Sequence, residues 1–202
     1  FIKFTMKKKK EAFPKSYWRV CETCLAFGDI IKFDLALLDA GLACRDAGQN
    51  GNAFLMLNRY LDIYDEIKDP DNRIDDEPEL QDTDFNFTQN AFKSTANVID
   101  EKERDEIYQW ILNKGVDKSF NKQLTTKNCP KCKKNNFEAN VVCHFCKLAF
   151  ETCVITGAPI YPGDDIVKCS QCGSKGIKEC WKEWVGMFQT CPNCQSVQMS
   201  YK

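Results

Sequence analysis

The sequence predicts a mainly α-helical chain, the end of a helical solenoid, closed by two small folds held together by metal. Three observations predict it. Apolar residues recur at helical spacing in several stretches before residue 118. Of the 13 cysteines, ten lie after residue 128. Eight of those ten form four C-x-x-C pairs, which in a chain without a secretory signal read as metal ligands rather than disulfides. With 43% hydrophobic and 28% charged residues the chain is globular, and its formal net charge of −1 implies neither nucleic acid nor a membrane surface as a partner. No apolar run reaches the roughly 20 residues that span a bilayer. The start, FIKFTMKKKK, has neither an initiator Met nor a cleavable apolar leader, so the chain reads as a C-terminal piece of a longer protein. Its cysteines place it in a reducing compartment.

Residues 1–13 read as a basic lead-in, with Lys7 to Lys10 in a solvated loop. Residues 14–68 read as helical hairpins. The first helix follows Pro14 and carries Tyr17, Val20, Cys21, Cys24 and Leu25 on one face. Cys21 and Cys24 have no second pair nearby and are expected to pack in a core. Two longer helices, about 31–47 and 51–67, are joined by the turn sequence GQNGN. Gly41 and Ala53 stand twelve apart, where tetratricopeptide (TPR) hairpins keep small residues so that two helices can approach, so the hairpins read as TPR-like. Residues 69–99 read as an acidic loop and an extended strap. Asp and Glu outnumber Lys and Arg eleven to two over residues 62–84, and FNFTQNAF follows. Residues 100–117 read as one more helix, with Ile107, Trp110 and Ile111 buried and Gly115 as its C-cap.

Residues 127–150 read as a zinc ribbon. Cys129, Cys132, Cys143 and Cys146 form two knuckles ten residues apart, and four thiolates satisfy a tetrahedral zinc ion. The site is closed and structural, and His144, inside the second knuckle, is a spectator. The ribbon is basic, but few aromatics accompany its lysines and an acidic segment opposes them, so nucleic acid is not expected.

Residues 151–199 read as a RING/U-box-like domain. RING domains interleave four ligand pairs, the first with the third and the second with the fourth. Here the second and fourth pairs, Cys169/Cys172 and Cys191/Cys194, are complete. The first, Cys153/Thr156, and the third, Ile177/Cys180, keep one cysteine each. Cys153 and Cys180 are therefore expected to be relic ligands in a small core. A weak metal site is the alternative for Cys153, and a nucleophile is a third reading that lacks a base. Two zinc ions are expected in all.

Several stretches carry a resemblance: DAGLACRDAGQNGNAFLMLNRYLDIYDEI, LQDTDFNF, EKERDEIYQWIL and CVITGAPI. In these the chain resembles the C-terminal end of the intraflagellar transport protein 172 family, subunits of the ciliary transport train's B complex. The resemblance implies a scaffold without a catalytic site. It implies partners among other B- and A-complex subunits, a part in train assembly and in turnaround at the ciliary tip, and a location in cilium or flagellum, basal body and cytoplasm. It also raises an alternative: a ubiquitin-binding or E3 ubiquitin ligase module, weakly active at most, in which Ile155, Trp184 and Pro192 contact an E2. Gln195 stands where such ligases usually carry a basic residue.

Overall fold

The computed structural model describes residues 2–28, 30–69, 83–85 and 99–198, about half of them helical. The chain divides into two compact units, residues 24–125 and residues 1–23 together with 126–202. Most of the segment read as acidic loop and strap lies outside the described residues, although Phe85 is buried.

The helices of the first part are α1 (Ile2–Lys8), α2 (Tyr17–Cys24), α3 (Phe33–Asp46), α4 (Asn50–Lys68) and α5 (Glu101–Val116). The unit 24–125 is built on the α3–α4 hairpin. Its core comes from Leu37, Ala40 and Cys44 on α3 and from Ala53, Met56, Leu57 and Tyr60 on α4, all nearly inaccessible. The hairpin turns on a Schellman motif: Gln49 N–H donates to the Cys44 carbonyl at 2.8 Å and Gly48 N–H to that of Arg45 at 3.1 Å, with Gly48 at φ 75°. α5 begins at a side-chain cap in which Asp100 accepts from the Glu103 N–H at 2.7 Å. Ile107 and Ile111 face its neighbours, whereas Trp110, expected in the core, is only half-buried. Gly115 lies inside α5 instead of capping it. The stretch after α5 is tied across α4, where Asn52 accepts from the Thr125 N–H at 2.9 Å.

The other unit carries all four cysteine pairs of the C-terminal region. It contains two antiparallel two-stranded sheets: β1 (Thr126–Asn128) with β2 (Asn135–Phe137), and β3 (Ile166–Lys168) with β4 (Lys175–Ile177). α6 (Lys178–Phe188) follows β4 directly. The lead-in expected as a solvated loop is different in the structure. α1 and a 3-10 turn at Lys10–Ala12 shape it, Lys7 to Lys10 are exposed, and Met6 and Phe13 are fully buried. Residues 14–23, expected to begin the helical hairpins, fold with the C-terminal cysteine pairs, as does the lead-in before them. Phe13 packs 6.4 Å from the Trp184 ring and 6.2 Å from the Phe188 ring of α6. Ser16 Oγ and Lys15 N–H donate to the Glu183 carboxylate at 2.5 and 2.8 Å. The apolar face of this segment thus has its partner in α6.

Candidate metal centres

Five stretches share one backbone course, beginning at Cys129, Cys143, Cys153, Cys169 and Cys191. In each, the cysteine N–H donates to the carbonyl five residues on, and the N–H four residues on donates back to the cysteine carbonyl, at 2.8–3.0 Å. In each, the residue four after the cysteine has φ between 56° and 74°: Lys133, Lys147, Gly157, Gly173 and Gln195. The residue before the cysteine pairs with the one six after it, as in Asn128↔Asn135, Val142↔Ala149, Thr152↔Pro159, Lys168↔Lys175 and Thr190↔Val197. This tight turn aims the first and fourth side chains at one point. Three of the five left-handed positions are held by residues other than Gly, a conformation side chains rarely adopt without other constraints.

The knuckles combine in pairs. Cys129, Cys132, Cys143 and Cys146 form one four-sulfur cluster, and Cys169, Cys172, Cys191 and Cys194 another; in each the sulfurs lie within 4.8 Å of one another. Closest Sγ···Sγ separations are 3.6 and 3.7 Å in the first and 3.7 and 3.8 Å in the second. Tetrahedral zinc with bonds of about 2.3 Å separates its sulfurs by about 3.8 Å, so both clusters fit such an ion. The backbone N–H of Cys172 and the Ser196 hydroxyl hold the Cys169 thiol down, to about 6, whereas burial pushes the Cys191 thiol of the same cluster up, to about 12. Cys172 and Cys194 are exposed, and the second cluster is the more open of the two.

A buried polar group supports the first cluster. The Asn136 carboxamide accepts from the His144 N–H at 3.0 Å and from Asn140 Nδ2 at 3.2 Å, and donates to Tyr161 OH at 3.3 Å. Burial pushes the Tyr161 hydroxyl up to about 12. His144 is not among the clustered ligands; its ring sits edge-on to Phe145. Asn136, Asn140 and Tyr161 carry no sequence signature. They become meaningful only where chain reversals bring them under the sulfurs.

The fifth knuckle, Cys153–Thr156, has no complete partner. Its fourth position is Thr156, whose hydroxyl accepts from the Ala158 N–H at 3.2 Å and whose carbonyl accepts from Thr23 at 2.7 Å. Facing it are Ile177, whose N–H donates to Cys153 Sγ at 3.4 Å, and Cys180. The first pair therefore meets the third, and the second meets the fourth. Cys153 and Cys180 are both essentially inaccessible. The neighbouring Cys180 thiol lowers Cys153 below the ordinary thiol value and is itself raised, so the pair gives up its first proton at Cys153, while Cys180 Sγ lies 4.0 Å from the Lys15 carbonyl. A solvent-reaching nucleophile is not what this burial allows.

Ile155 and Trp184 are 2% and 4% exposed. Ile155 lies against β4, where a side-chain carbon at Gly176 would sit 3.5 Å from it and 2.7 Å from Trp181. Trp184 donates Nε1–H to the Thr190 carbonyl at 3.0 Å and is covered by Phe13. Pro192 is half-buried in the last knuckle.

No protein-family model matches the chain. Curated relatives do. It is 35% identical to intraflagellar transport protein 172 of Chlamydomonas reinhardtii over 169 residues, 82% of this chain and 10% of that protein. It is 31% identical to the Danio rerio homologue over 84% of the chain and 9% of the homologue, and 27% identical to the Homo sapiens homologue over 89% and 10%. The chain belongs to the intraflagellar transport protein 172 family. It spans about a tenth of the length of the relatives it matches. The relatives are named for intraflagellar transport. Among the described residues, no helix is long and apolar enough to cross a membrane.

Proposed function

We propose that this region is a scaffold and protein-interaction module of an intraflagellar transport train subunit, its two four-cysteine clusters each holding a structural zinc ion. The observation that carries this reading is that both clusters are closed. Four thiolates from the chain complete a tetrahedral zinc, leaving no position for water or substrate, so the metal acts by holding short loops in place. The α3–α4 hairpin, with Gly41 against Leu57, is in keeping with a TPR-like solenoid end. The interleaved meeting of knuckles is in keeping with a RING/U-box-like fold in which one metal position is replaced by the Cys153, Thr156, Ile177 and Cys180 core. On the family's pattern the module contributes to train assembly, contact with the A complex and turnaround at the tip, and occurs at the basal body and in the cytoplasm as well as in the cilium.

The ligase alternative has less support, because Ile155 and Trp184 are interior residues, Trp184 under Phe13, rather than an E2-facing surface. The test is discharge of ubiquitin from charged E2 enzymes. The scaffold reading expects no acceleration by the native chain. Acceleration by the chain that Ile155→Ala removes, with both metals retained, would establish the ligase instead. In cells, a full-length subunit lacking residues 129–198 should enter cilia and accumulate at their tips; normal return traffic would reject the turnaround role.

A further inference from the structure

We infer that the groove between α4 and α5 is a docking site for an amphipathic helix with a basic flank. α5 buries Ile107 and Ile111 but leaves Tyr108, Leu112 and Val116 exposed at 50%, 43% and 78%. These three stand at i, i+4 and i+8, so they form one continuous stripe beside the buried one. Tyr108 and Leu112 of the stripe line a groove whose floor includes Leu61 and Ile111 and whose rim carries Asp62, Asp65 and Asp105. Among the described residues that line the groove the one cation is Arg104, already engaged: its guanidinium meets Asp105 at 3.1 Å and lies 5.7 Å from the Tyr64 ring centre. An apolar floor between two helices, with a negative rim, has the shape and charge that accept a helix presenting apolar residues at i, i+3, i+4 and i+7 with Lys or Arg beside them.

Charge selects this occupant over a second copy of the chain. A symmetric self-contact would bring the same patch onto itself, setting Asp62, Asp65 and Asp105 against their own copies. A basic helix relieves the repulsion that a second copy would add. The inference rests on the interaction-module reading and names a surface for it. Its failure would leave the zinc clusters and the turnaround test untouched, so the two readings fail separately.

The probe is a pair of designed helical peptides sharing one leucine face, one flanked by lysines and the other by glutamates, measured by fluorescence anisotropy on the whole chain. The lysine peptide should bind about tenfold more tightly than the glutamate peptide, a difference of about 1.4 kcal/mol. Leu112→Asp should remove binding of both. The double change Asp65→Lys with Asp105→Lys, at exposed positions, should reverse the preference. Equal binding of the two peptides, or binding that survives Leu112→Asp, overturns the proposal. So does concentration-dependent dimerisation of the free chain that Leu112→Asp abolishes, which would assign the groove to a second copy.

Discussion

Cys153 shows how a metal-knuckle backbone behaves when its metal partners are missing. The turn is retained, the sulfur accepts from the Ile177 N–H at 3.4 Å, and Cys180 lies beside it. Cys153→Ala should leave the metal content at two ions and cost about 1–3 kcal/mol, the cost of a lost small apolar group and a buried donor without its acceptor. Because Cys153 is held below the ordinary thiol value and Cys180 above it, the pair's contribution should peak near the unfolded-state value of about 8.5, since the raised Cys180 costs stability at higher pH. It should fall away as pH drops through the lowered folded value. Urea unfolding of parent and variant at several pH values checks this: the gap between them should shrink towards acid, and a gap that widened would contradict the assignment of the first proton to Cys153.

The α3–α4 hairpin depends on close approach. An ideal Cβ at Gly41 would sit 2.6 Å from Leu57 Cγ and 3.2 Å from the Leu57 backbone nitrogen. The branched Leu57 is fully buried and has little room to turn away. Gly41→Ala should therefore destabilise the unit 24–125 by about 1–3 kcal/mol, read as a lower urea midpoint with an unchanged slope. The same change at Gly115, where nothing lies within 4 Å, should stabilise α5 by up to about 1 kcal/mol. The contrast separates crowding from helix propensity.

The two units differ in what holds them together. Among the described residues, the unit 24–125 contains neither four-cysteine cluster, and its core is the apolar residues that α3, α4 and α5 bury. Cys143→Ser should reduce the bound metal from two ions to one by elemental analysis. It should collapse residues 127–150 while the circular dichroism of α3, α4 and α5 persists. A fragment spanning residues 24–125 should likewise stay helical, whereas one spanning 1–125 should expose Met6, Phe13 and Trp18, which are covered in the intact unit. Binding of an apolar dye to the longer fragment and not the shorter checks this.

The metal clusters were legible in the sequence because a knuckle is a local event. Four residues of C-x-x-C and the turn after them converge two sulfurs whatever surrounds them, and only the pairing of knuckles needs the fold. The helices were legible for the same reason, from a period of 3.6 within a dozen residues. Tertiary structure decided what rests on contacts between residues far apart in the chain. Ser16 meets Glu183 across 167 positions, and that contact assigns the first 23 residues to the unit with the cysteine clusters and turns Trp184 from a candidate surface residue into a core residue. Trp110 was misplaced because a helical stripe shows which residues share a face but not how wide a face the neighbouring helix covers. On α5 the covered face stops at Ile107 and Ile111. The facing of Cys153 and Cys180 followed from the interleaved order of the pairs. Their burial depended on Thr23, Ser16 and α6 closing over them, for which no local pattern in the chain carries a signal.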